Sequence, residues 1–212
     1  MSTLSNRDDD GEPRKRSRTR ATRTAGQRKR SHLLDVASAL FKAQGLNGVT
    51  ITAIADAADA FPSQITYYFH TKEALFVEAA CRDMLHIAES AELAAARART
   101  PATYMKALVD SVLQADGLAF FVEALVLARQ RTDLAAQVAR TIERLHVDGA
   151  RAFAGEVARR GWRPLAAPEL MSRKFWAIAL GVALEGQALG KAGAEMAADM
   201  VELLGAMAET SS

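Results

Sequence analysis

Apolar residues recur every three to four positions over most of the chain, and no stretch alternates apolar and polar residues as a half-buried strand does. After residue 71 this helical pattern is interrupted by turn signals such as Thr100-Pro101, Asp116-Gly117 and the segment 161–164. The uninterrupted intervals predict six helices, at 72–97, 102–115, 117–131, 133–160, 168–190 and 193–208. With three helices upstream, the chain is predicted to be all-α with about nine helices.

Two short helices joined by a tight turn are predicted between residues 50 and 69. Thr50 suits an N-cap, and Asp59 stands where the backbone must turn through a left-handed conformation. Pro62 favours the first position of the second helix. The apolar residues of that helix share one stripe, namely Ile65, Tyr68 and Phe69. This is the outline of a helix-turn-helix unit, which places one helix in the major groove of DNA.

The outward face of the second helix is therefore the candidate surface for base contacts. Gln64 is the best candidate for a bidentate contact to adenine, because its amide presents a donor and an acceptor side by side. Its neighbours on that face are predicted to reach bases or phosphates, with Pro62 at the helix start. Phosphate contacts are assigned to three residues outside this helix. The predicted DNA-binding set is Arg28, Thr50, Pro62, Ser63, Gln64, Thr66, Tyr67 and Lys72.

The segment IADAADAFPSQITYYFHTKEALF, residues 54–76, resembles the DNA-binding signature of the TetR family of bacterial transcriptional regulators. The match lies in the alanine-rich first helix and in the YYF and KEAL motifs, and FKAQGLNGVTITAI extends it upstream to about Arg28. The chain departs from the family pattern at three positions. Asp59 replaces the usual turn glycine, Phe61 replaces a capping serine, and Thr66 stands where tyrosine is common.

The resemblance implies a helix-turn-helix domain over 25–71 and a regulatory and dimerisation domain over 72–212. Family members typically pair their last two helices with those of a second subunit in a four-helix bundle. The residues predicted for that homodimer interface are Phe175, Ile178, Val182, Gly186, Met196, Met200 and Leu204. The apolar pattern alone favours the alternative, in which the apolar stripes of these two helices belong to the core of one subunit. A dimer would place two reading helices on the half-sites of a palindromic operator, about 34–36 Å apart.

A site for a small-molecule effector is predicted among the central helices. Aromatic residues with a few polar neighbours can line such a cavity: His86, Tyr104, Phe120, Phe121, Glu123 and Trp176. The alternative is that these aromatic residues simply pack in the core. The effector is expected to be small and largely apolar, and to favour a dimer geometry that no longer matches the operator. The protein is thus interpreted as a repressor released from double-stranded DNA by a ligand.

Positive charge is concentrated at the N-terminus. Residues 1–30 hold ten Lys or Arg against four Asp or Glu, although the whole chain carries a net charge of only +2. Residues 1–24 have almost no large apolar groups, so we predict a disordered basic arm there. Such an arm is either a solvated tail or an arm that follows DNA phosphates or enters the minor groove.

Other classes of protein find little support in the sequence. No HExxH, GxSxG, CxxC or glycine-rich phosphate loop occurs, so an enzyme, a metal site and a cofactor are not expected. No apolar run approaches the ~18 residues of a membrane span, and no signal peptide is recognised. We expect a bacterial, cytoplasmic, nucleoid-associated protein. The main alternative is a DNA-binding or architectural repressor that responds to no effector.

Overall fold

A computed structural model describes the backbone of residues 12–164 and 166–209, and the side chains of residues 24–164 and 166–205. The described residues form nine helices and no strand, which confirms the all-α prediction. The helices are α1 (Glu12–Gly48), α2 (Ile51–Ala57), α3 (Pro62–Phe69), α4 (Lys72–Ala95), α5 (Pro101–Leu113), α6 (Asp116–Gln130), α7 (Thr132–Arg160), α8 (Pro168–Leu189) and α9 (Gly193–Glu209).

The six helices predicted after residue 71 all occur, and their ends lie within two residues of the predicted ones. Local chemistry explains this agreement. The Thr100 hydroxyl accepts a hydrogen bond from the Thr103 amide at 3.2 Å and so caps α5. Gly161 and Gly190 end α7 and α8 with φ angles of 66° and 65°, a left-handed conformation that glycine adopts without a steric penalty.

Helix α1 begins earlier than the sequence indicates. Residues 12–24 are helical in the structure, whereas a disordered arm is predicted over 1–24, and residues 1–11 lie outside the described part of the chain. No glycine or proline occurs between residues 14 and 25, and the arginines, lysine and alanines there are good helix formers. Near its other end α1 is broken at Gly45, where φ is 68° and the chain turns toward α2.

Helix α4 joins the N-terminal helices to the rest of the protein. It packs against α1 on one side and against α5, α6 and α7 on the others. The buried ring of Phe76 lies 5.1 Å from the ring of Phe41 in α1 and 4.8 Å from that of Phe120 in α6, both in edge-to-face geometry. Burying a side chain of this size stabilises the fold by about 1.5–3 kcal/mol. These three rings therefore form one continuous core between the two parts of the chain.

Helices α5 and α6 meet at a bend of 67°. The absence of a side chain at Gly117 lets α6 approach α4, since an added Cβ would lie 2.5 Å from Cδ1 of Ile87. Among the residues that the structure describes, no single helix is long and apolar enough to cross a membrane; α5 and α6 meet that criterion only as a pair across their bend.

The crossing of α8 and α9 depends on Gly186. An added Cβ there would collide with the Sδ and Cγ atoms of Met196, so this side chain would have to leave its packed position between the two helices. Gly155 on α7 is also helical and has open space around its Cα. The two positions can therefore be compared directly: both are glycines within helices, but only Gly186 is closely packed against another helix.

We expect Gly186→Ala to lower the free energy of unfolding by about 1–3 kcal/mol because it overpacks this crossing. Gly155→Ala should raise it by up to about 1 kcal/mol, because alanine is the better helix former. Chemical denaturation of both variants measures the difference. Equal effects at the two positions would contradict a close α8–α9 contact at Gly186.

Candidate nucleic-acid interface and internal cavity

Helix α3 has a buried inner side and an open outer side. Ile65 and Phe69 are only 1% and 2% exposed, and the half-buried Tyr68 packs on the same core. The outward residues are exposed, namely Ser63, Thr66 and Tyr67. The predicted division of the helix into an apolar and a polar face is confirmed, except that Gln64 is half-buried.

The turn before α3 has the predicted left-handed residue. Asp59 has a φ of 46°, and the Ala60 amide donates to the Ala55 carbonyl at 2.9 Å. The Lys29 ammonium donates to the carbonyls of Ala58 and Asp59 at 3.3 and 2.9 Å. Carbonyl groups at a helix end need such donors, so Lys29 stabilises the end of α2. The sequence did not single out Lys29, because the contact spans about thirty residues.

Gln64 takes part in the start of α3. Phe61 offers no side-chain acceptor, and the Gln64 amide oxygen instead accepts the Phe61 backbone N–H at 3.1 Å. The Thr66 hydroxyl similarly donates to the Pro62 carbonyl at 3.3 Å. In this conformation the Gln64 amide oxygen serves the helix start, and its contact to adenine stays a prediction. The ring of Phe61, by contrast, is 73% exposed beside the outward face.

The role of Lys72 differs from the predicted one. Its ammonium group is half-buried and donates to the carbonyls of Leu46 and Val49 at 2.8 and 2.9 Å. The first residue of α4 therefore holds the connection between α1 and α2 in place, and it is not a free cation for phosphate. These carbonyls lie more than twenty residues upstream, and no local pattern reveals such a contact.

The remaining two phosphate candidates stay accessible. Thr50 caps α2 by accepting the Ala53 amide at 3.0 Å, as predicted, and its exposed hydroxyl can still donate to a phosphate. Arg28 is exposed on α1. Their roles toward DNA stay predictions.

Ion pairs fasten α1 to α4. The Arg30 guanidinium contacts both carboxylate oxygens of Glu78 at 2.5 and 2.6 Å and lies 4.9 Å from the centre of the Phe69 ring. Arg30 thus connects α1, α3 and α4. Two further pairs are Lys42 with Asp83 at 3.0 Å and Arg82 with Asp35 at 2.8 Å.

A small, partly open cavity of about 40 Å³ lies among α4, α5, α7 and α8. Four aromatic residues form much of its wall, namely Tyr104, Phe153, Phe175 and Trp176. Its polar groups are few: the Glu92 carboxyl, the Tyr104 hydroxyl and the Ser172 hydroxyl. A largely apolar lining with a small number of polar groups is typical of small-molecule sites, although the space in this structure has room for only a few water molecules.

Close packing of α7 on α8 forms one wall of the cavity. An added Cβ at Gly149 would lie 2.7 Å from the Ser172 hydroxyl oxygen, so glycine is needed for this approach. The indole N–H of Trp176 donates to the Leu145 carbonyl at 3.1 Å, which fixes the ring against α7. Trp176 is therefore held rigidly.

Both titratable groups of the cavity have raised pKa values. Burial, and secondarily the negative charge of Glu92, raise the pKa of Tyr104 to about 12. Burial also raises the pKa of Glu92 above its ordinary value, and the nearby carboxylates of Asp148 and Glu89 add to this effect. Within the part of the chain that the structure describes, no three His, Cys, Asp or Glu side chains are placed to hold a metal ion.

The residues predicted for ligand binding separate into three groups. Tyr104 and Trp176 line the cavity. His86 is exposed and lines an outer cleft between α4 and α7. Phe120, Phe121 and Glu123 do not line this cavity: both phenylalanines are buried in the core, and Glu123 is exposed on α6. A ligand contact of these three residues stays a prediction. The sequence analysis missed Glu92 and Phe153, since a helical pattern does not show which face borders a void.

The residues predicted for the dimer interface lie on the inner sides of α8 and α9. Phe175, Val182, Gly186 and Met200 are buried within one subunit, so they are not available to a second one. Half-buried and packed on the same core are Ile178, Met196 and Leu204. The larger side chains face the core of the subunit, as the alternative interpretation of these stripes expects. The outward side of these helices is a stripe of small and apolar residues: Leu170, Ala177, Gly181, Leu184 and Ala188 on α8, and Ala194, Ala198, Val201 and Gly205 on α9.

An exposed short helix behind a tight turn, set on a larger helical body with an internal cavity, defines a helix-turn-helix regulator. A model of bacterial regulatory proteins of the TetR family matches residues 33–79, and a model of the C-terminal region of bacterial transcriptional repressors matches residues 101–205. No curated protein matches the chain.

Solved structures agree with the family models. A protein from Rhodococcus sp. RHA1, assigned as a transcriptional regulator, is 33% identical, with 85% of this chain and 95% of that chain covered and a TM-score of 0.75. Assigned TetR-family regulators share the fold at lower identity. The one from Mesorhizobium loti has 19% identity, coverage of 86% and 97%, and a TM-score of 0.66. The one from Pectobacterium atrosepticum has 16% identity, coverage of 87% and 94%, and a TM-score of 0.68.

The chain belongs to the TetR family of bacterial transcriptional regulators. It is a DNA-binding regulator with an N-terminal helix-turn-helix domain and a helical C-terminal domain, and its family consists of regulators rather than enzymes.

We expect Lys72→Met to lower the free energy of unfolding by about 1–3 kcal/mol, because it leaves two carbonyls without their donor while keeping the apolar stem. Lys106→Met is the control: Lys106 pairs with Asp110 on an exposed helix face at 2.7 Å, and its loss should cost under about 0.5 kcal/mol. Thermal unfolding and DNA titration at several salt concentrations provide the measurements. If stability is unchanged and the salt dependence of DNA binding is weaker, Lys72 contacts a DNA phosphate after all.

Proposed function

We propose that this protein is a homodimeric repressor that leaves its operator when a small molecule occupies the internal cavity. One observation carries the proposal: α4 belongs to both sites. Its first residue, Lys72, holds the α1–α2 connection, while Glu92 in its last turns lines the cavity. The description of the matching C-terminal model as a repressor supports the direction of regulation.

Occupation of the cavity would act on DNA binding through the position of α4. A ligand between α4 and the other three helices favours whichever α4 position fits it, provided that it binds the two positions with different affinity. The ion pair of Arg30 with Glu78 and the contacts of Lys72 tie the helix-turn-helix domain to that helix. A shift of α4 would therefore reorient α3 and change the separation of the two reading helices in a dimer.

The outward stripe of α8 and α9 is the surface that we propose for the dimer. It includes Leu184 at 53% and Val201 at 43% exposure, together with small residues such as Gly181 that let two helices approach closely. A two-fold axis through this surface makes a self-complementary interface and suits a palindromic operator. Because its target is the bacterial chromosome, we place the protein in the cytoplasm.

For base reading we propose the exposed start and outer face of α3. The N-terminal residues of a recognition helix contact base edges, and the Phe61 and Tyr67 rings are 73% and 76% exposed there. An apolar ring suits the methyl group of thymine, while the hydroxyls of Ser63 and Tyr67 can reach bases or phosphates. Exposed Arg28 and Thr50 flank this surface and suit phosphate contacts.

We expect Phe61→Ser to reduce affinity for the operator roughly fivefold, because the thymine contact is lost, while affinity for unrelated DNA changes less than about twofold. Serine also caps a helix, so α3 should be at least as stable in this variant. Phe61→Leu keeps an apolar side chain and should retain most of the discrimination. Fluorescence anisotropy with operator and scrambled duplexes measures both quantities, and a parallel loss on the two duplexes would exclude a base-reading role for Phe61.

The whole proposal is tested by binding of the purified protein to DNA from the region upstream of its own gene, repeated with a panel of small molecules. We expect a retarded complex that contains two protein chains per duplex, and its release by a compound that also raises the melting temperature of the free protein. Light scattering of the complex gives the stoichiometry. Specific binding that no compound in a broad panel weakens would favour the alternative of an effector-independent repressor.

Two variants serve as controls in the same experiment. Leu184→Arg places a charge in the outward stripe of α8 and should give monomers with weakened operator binding. Val147→Arg places the same charge at a residue of similar exposure, 50% against 53%, on α7. It should remain dimeric and bind as the unmodified protein does. If only Val147→Arg lost the dimer, the interface would lie on α7 and not on α8 and α9.

A further inference from the structure

An open groove lies beside the internal cavity, between α5, the end of α7, α8 and α9. Its volume is about 400 Å³, against about 40 Å³ for the cavity. The half-buried side chains of Met105, Phe153 and Met171 line both spaces, so the two share a wall. Methionine side chains adapt to different neighbours, which makes this wall deformable. The open groove therefore offers a small molecule the room that the cavity lacks.

The charged residues of the open groove all have the same sign. Lys106, Arg163 and Lys174 line it, and no acidic residue is present among its described lining residues. Lys106 pairs with Asp110 at 2.7 Å, whereas Arg163 and Lys174 make no hydrogen bond or ion pair with the side chains that the structure describes. Two cations without a partner beside one surface attract an anion.

The rest of the open groove is apolar. Apart from the three cations and Gly205, every described lining residue has an apolar or aromatic side chain. Covering such a surface with an apolar chain removes both from water, which is favourable. A carboxylate head group can meanwhile accept two parallel hydrogen bonds from a guanidinium group and a further one from an ammonium group. A molecule with one anionic end and an apolar body therefore fits both properties of the groove.

One pair of side chains connects the open groove to the end of α4. Trp162 lines the groove, and the Arg160 guanidinium lies 5.2 Å from the centre of its ring. Arg160 also donates to the carbonyl of Ala96, the residue directly after α4, at 2.6 Å. The Glu156 carboxylate accepts a hydrogen bond from Arg160 at 2.7 Å and holds it in this position. An occupant that displaces Trp162 would therefore act on α4, the helix that contacts the helix-turn-helix domain.

The open groove also borders the surface proposed for the dimer. Val201 and Gly205 line the groove and belong to the outward stripe of α9. An occupant would thus lie at the edge of the interface between two subunits. A second subunit that covers the groove is the competing occupant, but its stripe of small and apolar residues offers no negative charge to Arg163 and Lys174.

We propose that the open groove binds a free amphiphilic carboxylate, whose head group meets Arg163 and Lys174 and whose apolar chain lies against Trp162 and the two shared methionines. This inference rests on the proposed effector function, extends its site from the internal cavity into the groove, and specifies the class of its ligand.

Three probes with one decyl chain and different head groups test the inference: decanoate, decanol and decyltrimethylammonium, each below its micelle concentration or solubility limit. Isothermal titration calorimetry with the full-length protein measures their affinities. We expect the affinity to fall in that order, because the cations of the groove attract only the carboxylate and repel the ammonium group. Ammonium binding as tight as carboxylate binding, or binding of no probe, would overturn the inference.

Two identical substitutions test the contact of the head group. Arg163 and Arg129 are both exposed and both lack an ion pair with the described residues, but Arg129 lies on α6 outside the groove. Arg163→Gln should weaken decanoate binding about fivefold and change decanol binding less than about twofold. Arg129→Gln should change both less than about twofold, because salt screens distant exposed charges. Equal effects of the two variants on decanoate would contradict the proposed contact.

A second pair of variants tests the position of the apolar chain. Ala102→Trp fills the groove from an exposed position at the start of α5 and should weaken binding of decanoate and decanol. Ala94→Trp adds the same ring at an exposed position on α4 outside the groove and should leave binding unchanged. Decanoate binding that survives Ala102→Trp, or that occurs only in the monomeric Leu184→Arg variant, would overturn the inference. In the second case the partner subunit covers the groove.

Release of operator DNA by the same probes separates this inference from the proposed function. Decanoate binding that depends on Arg163 but releases no DNA would support the groove site and contradict the effector role. DNA release by a compound of another class, with no binding of decanoate, would support the effector role and contradict the groove site. Melting temperatures close to that of the unmodified protein should confirm that the variants are folded.

Discussion

The position of α4 is the constraint on which the rest of this protein depends. Phe76 packs between Phe41 and Phe120, so the core of the helix-turn-helix domain is continuous with the core of the larger domain. Polar contacts join the same two domains: Arg30 pairs with Glu78, and Lys72 donates to backbone carbonyls. A helix held on both sides cannot shift without changing both, which is the physical condition for coupling between two distant sites.

Helix positions could be predicted from the sequence because their ends are set by neighbours in the chain. Thr100, Gly161 and Gly190 act within one turn of the helix that they start or end. The two faces of α3 were equally predictable, since spacing alone places Ile65 and Phe69 together. The hydrogen bond of Gln64 at the start of α3 could not be predicted, although its partner is only three residues away. A polar residue in the first turn of a helix can serve either the helix or a ligand, and its type does not decide between them.

Long-range contacts mark the limit of the sequence analysis. Lys72 and Lys29 both look like solvated or phosphate-binding cations in the sequence, and both are occupied by carbonyls that lie far away along the chain. Voids are equally hidden: Phe120 and Phe153 are both aromatic residues on amphipathic helices, yet only Phe153 borders the cavity. On α8 and α9 the conspicuous large residues face inward, and small residues such as Gly181 mark the surface that stays open.

The contact of Lys72 also bears on how such regulators are recombined. A chimera that joins one DNA-binding domain to another sensor is naturally cut at the end of the helix-turn-helix unit, after Thr71. That cut would take away the ammonium group that holds the carbonyls of Leu46 and Val49, together with the Glu78 partner of Arg30. A transplantable module from this protein therefore has to carry the opening turns of α4 with it, and the natural junction for sensor engineering lies inside a helix rather than in a loop.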